Sequence, residues 1–385
     1  MPELAAIDLV IVVLYVAGTT LFGAWFARRQ KSVKTYLVGD RDVGWPLILA
    51  SIVATETSTV TFLSVPGLAY ARGGNLTFLQ LALGYLLGRV VVAWFLLPQY
   101  FRGETYSAYQ ILRERFSPAV QRTASAIFLL TRTIADGLRL FLTALLLQQF
   151  TGWDMAPSIL VMGLATIIYT YLGGMQAVIW TDLIQLLIYL LGAIAAGIVL
   201  LALLPGGVET FWSVGQAQGK FRLFDFDPDP AQTYTFWAGV VGGGFFSMAS
   251  HGADQIMVQR YLSSRSLGHA RAALVLSGFC VILQFLLFLL LGVGLFVAVQ
   301  QGVFAVASDA PNDAVFGAFI VQKLPTGLVG LVVAAVLAAA MSTLSSSLSA
   351  SASAVVGDFY RPARPNLPEQ SYLRVSRGLT LLWGL

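Results

Sequence analysis

The hydrophobic positions of the chain are grouped into long runs, and most charged residues lie between these runs. A helix needs about 20 consecutive apolar residues to cross a bilayer, and most of the runs are close to that length. The pattern therefore predicts an all-α, multi-pass membrane protein. We expect its spans at 5–27, 46–70, 76–100, 123–149, 157–175, 180–204, 234–256, 272–299, 327–356 and 375–385.

Two of the predicted spans are interrupted by residues that lipid does not tolerate. Span 46–70 contains a polar stretch at 54–59, and span 234–256 contains three glycines at 242–244 and a polar stretch at 250–254. Such interruptions persist at membrane depth only where they line a cavity or are buried in protein. A pair of interrupted helices, one in each half of the chain, is a sequence signal for a transporter binding site.

The spacing of the two interruptions predicts the domain organisation. Counted from 46–70, the interrupted spans are the first and the sixth, which is the spacing of a five-plus-five inverted repeat. We expect one transmembrane domain with an extra helix at 5–27, a first repeat at about 46–204 and a second, incomplete repeat at about 234–385. The tenth core helix is not within this sequence, so we expect the C-terminal helices to lie beyond it.

Composition supports a membrane protein, and the distribution of charge predicts its orientation in the membrane. Hydrophobic residues make up 57% of the sequence and charged residues only 11%, whereas a soluble domain is about a quarter charged. Most of the 23 basic residues fall on one side, which includes 101–122 and 257–271. The positive-inside rule then places the N-terminus outside, in a plasma or inner membrane.

The same composition bears on the partners of the chain. Two histidines and one cysteine do not make a usual zinc site, and no nucleophile–base motif supports an enzyme. We therefore expect a non-enzymatic monomer that contacts lipid and a small-molecule solute, with no nucleic-acid partner.

Charged residues inside predicted spans each cost on the order of 3 kcal/mol, so each is a candidate for a functional site or a structural ion pair. The six are Arg89, Arg132, Arg139, Glu56, Asp136 and Asp254. Arg132 and Arg139 share a helix face with Asp136 between them, which leaves one positive charge unless Asp254 offsets it. Glu56 is a candidate partner for Arg89. Because a guanidinium fork suits a carboxylate, the pattern favours a small organic anion over a neutral or zwitterionic solute.

A hydroxyl-rich stretch at 342–349 contains six serine or threonine residues. Four of them, Ser342, Ser345, Ser346 and Ser349, share one helix face. Neutral oxygens can replace the water around a monovalent cation without excess charge, whereas small residues also serve close helix packing. We favour cation binding over packing.

At these residues the chain resembles the sodium/solute symporters, the family of sodium-coupled glucose, iodide, monocarboxylate and sialic acid transporters. The matching segments are YTYLGGMQAV at 169–178, WTDLIQ at 180–185, DQ at 254–255 with QRY at 259–261, and 339–346. The resemblance implies a LeuT-type inverted repeat and sodium-coupled solute uptake by alternating access. The alternative is a sensor or receptor that has the transporter fold and couples to a partner or a C-terminal domain.

The resemblance also implies site residues. The shared sodium site would use the hydroxyls of Ser342 and Thr343 with the carbonyls of Ala339, Val53 and Glu56. A second sodium site, present in some members, would use Asp182, Ser342, Ser345 and Ser346; the alternative for Asp182 is a structural carboxylate. The residues expected at the solute are Thr55, Thr57, Ser58, Thr61, Gln80, Arg132, Asp136, Arg139, His251 and Asp254. Glu56, Asp254 and the arginine set depart from the sugar carriers, so the fold does not imply a sugar.

Overall fold

The computed structural model describes residues 4–103, 105–229, 231–307 and 309–385, and these ranges are almost entirely helical. Five helices are long and apolar enough to cross a membrane, and a sixth span arises if one bent pair is counted together. The helices are α1 Ala6–Trp25, α2 Val33–Val38, α3 Trp45–Glu56, α4 Thr59–Tyr70, α5 Leu79–Val91, α6 Leu97–Tyr100, α7 Gln110–Arg115, α8 Pro118–Thr151, α9 Met155–Leu203, α10 Val208–Ala217, α11 Gly243–Gly252, α12 Gln255–Leu262, α13 Leu267–Gln300, α14 Ala314–Lys323, α15 Leu328–Ala354, α16 Arg361–Ala363 and α17 Glu369–Gly384.

The first predicted interruption is a true break. Helices α3 and α4 meet at an angle of 68°, and Ser58 begins α4 by accepting a hydrogen bond from the Thr61 amide at 3.3 Å. The polar run at 54–59 is therefore where one helix ends and the next begins.

The second interruption lies in the predicted polar stretch at 250–254 and not at the glycine triplet. The glycines at 242–244 stay helical, and the start of α11 packs closely on α5: a Cβ added at Gly243 would lie 2.6 Å from the Leu81 carbonyl oxygen. The chain leaves the helix only at Ala253, and Asp254 then begins α12 by accepting from the Ile256 amide at 2.8 Å.

The spans predicted at 157–175 and 180–204 are joined in α9 without an intervening loop. The 49 residues of α9 are too long for one crossing, and the backbone turns at Gly174, where φ is 56°. A Cβ at Gly174 would lie 2.6 Å from the carbonyl oxygen of Tyr36. Only glycine fits this turn without strain.

The segment predicted as a cytoplasmic loop at 257–271 is partly buried helix. Residues of α12 are buried throughout, and Arg260 has no exposed surface. Arg260 is buried because it pairs with a carboxylate inside the protein, so it does not contribute a surface charge to the topology prediction. The orientation of the N-terminus stays a prediction.

Helix α15 lies at the centre of the bundle and is buried along most of its length. Its start is fixed by Asp8 of α1, whose Oδ1 accepts from the amides of Gly327 and Gly330 at 2.7 Å each. The carboxylate satisfies amides that a helix N-terminus leaves unpaired. The extra helix therefore helps to position the hydroxyl-rich stretch, while the inverted-repeat layout and its boundaries stay predictions.

Candidate functional site

The break between α3 and α4 exposes carbonyl oxygens beside the hydroxyl-rich stretch. The last four carbonyls of a helix lack partners within the helix and form the negative end of its dipole. At the end of α3, the Thr343 hydroxyl lies 3.3 Å from the Thr55 carbonyl oxygen and 3.2 Å from that of Ala339. The structure thus brings α15 and the end of α3 together, as the shared sodium site requires.

The predicted ligands of that site fit a sodium ion in chemistry, with one addition. The Val53 carbonyl already accepts from the Thr57 amide at 3.2 Å and from its hydroxyl at 2.9 Å. The Thr55 carbonyl, which the sequence did not single out as a ligand, faces Thr343 directly. Ser342 donates its proton to Asp182 at 2.6 Å and keeps its lone pairs. Neutral oxygens therefore predominate, as a monovalent cation prefers.

A cavity of about 570 Å³ lies next to this break. Most of the predicted solute residues line it: Thr55, Ser58, Thr61, Arg132, Arg139, His251 and Asp254, together with Glu56 and Thr343 from the shared sodium site. Aromatic side chains from α5, α11 and α13 and the segment before α5 complete the wall. A pocket with apolar walls and a few convergent polar groups is typical of a small-molecule site.

Three predicted solute residues, Thr57, Gln80 and Asp136, do not line this cavity, and the first two are engaged elsewhere. The Thr57 hydroxyl accepts from the Tyr189 hydroxyl at 3.2 Å and from the Gln284 amide at 2.5 Å. Gln80 donates to the Tyr234 carbonyl at 3.0 Å and accepts from the Asp225 amide at 3.0 Å. These contacts give both side chains a structural role, and their part in solute binding stays a prediction.

The predicted ion pair between Arg89 and Glu56 is present on the cavity wall. The guanidinium of Arg89 is buried and donates to both carboxylate oxygens of Glu56, at 2.6 and 2.5 Å, and to Ser277 at 2.6 Å. His251 lies 3.7 Å from the same carboxylate. Glu56 is thus neutralised in place, so its charge is offset before any solute arrives.

The two arginines of α8 near the cavity, Arg132 and Arg139, differ in how closely they pair with Asp136. Arg132 lies 2.8 Å from Asp136 and also donates to Ser347 at 3.0 Å. Arg139 lies 3.9 Å from the same carboxylate, and 41% of its side chain is exposed. Asp136 itself also accepts from Ser347 and does not line the large cavity. Asp136 therefore pairs mainly with Arg132, and it compensates the positive charge of Arg139, which lines the cavity, only weakly.

The residues predicted for a second sodium site surround a guanidinium. Asp182 is fully buried, and its Oδ2 lies 3.0 Å from Nη2 of Arg260. That nitrogen also donates to the hydroxyls of Thr55 and Ser346, and Nε donates to Ser51 at 2.8 Å. Among the described residues, the Asp182 carboxylate and the hydroxyl of Ser346 are thus hydrogen-bonded to Arg260, and the second sodium site stays a prediction.

Sequence reasoning missed Arg260 and Ser51 as members of this cluster. Arg260 stood in the QRY motif, but its charge was attributed to a cytoplasmic loop. Ser51 lies one helical turn before Thr55, on the same face of α3. The hydroxyls of Ser51 and Thr55 are spaced i, i+4, and both contact the buried carboxylate of Asp182. That spacing was the sequence signal that could have identified Ser51.

Comparison with known proteins places this geometry among transporters. The model of the sodium:solute symporter family matches residues 36–384. The human sodium/iodide cotransporter is 32% identical over the whole chain, and the chain spans 60% of that relative's length. The sodium/sialic acid symporter NanT of Aliivibrio fischeri is 30% identical, with 96% of this chain and 73% of the relative covered.

A solved structure is similar over almost the entire fold. It is the substrate-bound, outward-open state of a Na+-coupled sialic acid symporter, with a TM-score of 0.92 and 29% identity. The match covers 99% of this chain and 80% of that one. These homologues are transporters rather than enzymes, and their different solutes leave the solute of this chain open.

Proposed function

Because the chain belongs to the sodium:solute symporter family, we propose that it carries a small organic anion into the cell together with sodium. The observation that carries the proposal is the meeting of the α3 terminus with Thr343 beside a solute-sized cavity. Sodium would bind between the carbonyls of Val53, Glu56 and Ala339, with that of Thr55 in addition, and the hydroxyls of Ser342 and Thr343. The protein would lie in the plasma or inner membrane with its N-terminus outside.

The coupling follows from shared residues. Thr343 contacts the end of α3 and also lines the cavity, so an ion held there orders one wall of the solute site. Each sodium moved through 100 mV supplies about 2.3 kcal/mol. Alternating access would then release both to the cytoplasm, as broken-helix transporters do.

The anionic charge of the solute is supported by Arg139. Its weak contact with Asp136, at 3.9 Å, leaves a guanidinium that a carboxylate on the solute can pair with. Glu56 does not cancel this charge because Arg89 neutralises it. Asp254 lines the same cavity and caps α12 through the Ile256 amide.

The sodium site is tested by removing its hydroxyls. In proteoliposomes with a sodium gradient, Ser342→Ala and Thr343→Ala should each raise the sodium concentration for half-maximal uptake by about tenfold, because a ligand is lost without replacement. Matched controls are Thr166→Ala and Ser376→Ala, whose buried hydroxyls donate to carbonyls of their own helices, at 2.7 and 2.8 Å. An unchanged sodium dependence in both site variants would refute the assignment.

A further inference from the structure

We propose that a second cavity, between α7 and α16, is a binding site for a phosphate group, and that Arg113 and Arg361 are the residues that bind it. The cavity has a volume of about 470 Å³, which is in the range of small-molecule sites. It shares no lining residue with the solute cavity. The inference therefore goes beyond the proposed function and does not depend on it.

The polar side chains on the wall of this second cavity can all donate hydrogen bonds. Arg113 and Arg361 supply two guanidiniums, Gln110 an amide and Tyr106 a phenol hydroxyl. Oε1 of Gln110 already accepts from the Tyr106 backbone amide at 2.9 Å, so the remaining polar atom of its side chain is the donor Nε2. None of the described lining residues is acidic. A wall of this chemistry favours an anion.

Two carboxylates near the cavity do not cancel this charge. Asp358 lies between lining residues in sequence, but it is fully buried and accepts from Ser107 at 2.7 Å and from Gln121 at 2.6 Å. Glu369 lies 3.8 Å from Arg361, and 55% of its side chain is exposed. An exposed ion pair of this length contributes little. The guanidinium of Arg361 is thus available to a stronger anionic partner.

The orientation of Arg361 is fixed before any ligand binds. Its Cζ lies 5.0 Å from the ring centre of Tyr106 and 5.6 Å from that of Tyr372. The Tyr372 hydroxyl in turn donates to the Arg364 carbonyl and accepts from the Leu367 amide at 3.3 Å. A stacked guanidinium presents a planar fork that matches phosphate oxygens.

Charge and oxygen count distinguish a phosphate from a carboxylate at this place. A phosphate monoester carries about −1.5 to −2 charges at pH 7 and has three acceptor oxygens. It can therefore balance two guanidiniums and also accept from the Gln110 amide. A carboxylate has one charge and two oxygens, so it would leave one arginine without a partner.

The wall of the cavity is joined to the helix that follows the second break. Gln255 of α12 accepts from the Ala108 amide at 2.6 Å and donates to the Tyr106 carbonyl at 3.0 Å. Ser353 of α15 donates to the same carbonyl at 2.7 Å. A ligand that bridges α7 and α16 adds a further link between these segments. We therefore expect it to raise the melting temperature of the protein.

Two sources carry a phosphate monoester, a soluble metabolite and the headgroup of phosphatidic acid, and two probes distinguish them. The first is equilibrium dialysis of radiolabelled glycerol 3-phosphate against the purified full chain in detergent. The second is the melting temperature in phosphatidylcholine nanodiscs with and without phosphatidic acid. Binding of the first probe indicates a soluble ligand, and a shift with the second probe alone indicates the lipid.

The variants test the two arginines directly. Arg113→Gln and Arg361→Gln should each weaken binding of the active probe by about tenfold, because a charge-assisted hydrogen bond is lost. Arg115→Gln is the matched control, since Arg115 lies on the same helix but does not line this cavity. Gel filtration checks that each variant is folded.

Three results would overturn the proposal. They are no effect of either probe, wild-type binding by both folded arginine variants, and a loss of binding in Arg139→Gln instead, which would place the phosphate in the solute cavity. The measurements need neither sodium nor transport, so each of these results leaves the proposed sodium coupling standing.

Discussion

Replacing Arg139 tests whether the solute is an anion. Arg139→Gln removes the positive charge that Asp136 leaves uncompensated at 3.9 Å. A hydrogen bond to a charged group contributes about 1.5–3 kcal/mol, and each 1.4 kcal/mol changes affinity tenfold. Because 41% of the Arg139 side chain is exposed, we discount this contribution. We therefore expect the lower end, about a tenfold rise in Kd.

The assay is a thermal-shift titration at saturating sodium, with simple monocarboxylates and sialic acid compared with glucose and proline. Arg139→Gln should weaken the carboxylate that stabilises the wild type, and Arg139→Lys should weaken it less, because the charge remains but the fork geometry is lost. Arg265→Gln, an exposed arginine paired with Asp42, should bind as wild type does. The anion hypothesis is refuted if Arg139→Gln keeps full affinity, or if only sugars shift the melting temperature.

Two further predictions concern stability and topology. Asp8→Ala should lower the free energy of unfolding by about 2–4 kcal/mol, because it leaves two amides at the start of α15 without an acceptor. Asp8→Asn keeps an acceptor oxygen and should lower the melting temperature in detergent less. An unchanged melting temperature for Asp8→Ala would contradict this prediction. With Cys280 replaced by alanine, an impermeant maleimide on intact cells should label Gln218→Cys but not Arg115→Cys, both at exposed positions; the reverse pattern would overturn the positive-inside assignment.

Sequence periodicity was sufficient for the all-helical membrane class but not for the positions of all the helix breaks. The 54–59 break was predictable because polar side chains and a capping serine coincide there. The glycines at 242–244 were misread because a glycine run serves close helix packing as readily as unwinding; Gly243 packs against the Leu81 carbonyl of α5, and the break falls in the polar stretch at 250–254. Likewise, Gly174 turns α9 because Tyr36, distant in sequence, leaves no room for a side chain.

Some contacts of the candidate site could also be predicted from the sequence, and others could not. The pairing of Arg89 with Glu56 could be anticipated, because two opposite charges inside spans must find partners. The pairing of Asp182 with Arg260 could not, since 78 residues separate them and the charge of Arg260 looked like an ordinary cytoplasmic one. Hydrophobic patterns do not show which buried charged residues pair with each other. That depends on how α12 returns to the bundle after its break.

Thr55 lies where the three parts of the site meet. Its side chain lines the solute cavity, its carbonyl accepts from Thr343, and its hydroxyl contacts Arg260 and Ser346. It is also the second-to-last residue of α3, next to the 68° bend, where a small rotation changes all three contacts together. Coupling between sites requires an element whose arrangement both sites bias. The end of α3 is a candidate for such an element, because Thr55 contacts the cavity, the predicted sodium ligand Thr343 and the guanidinium of Arg260.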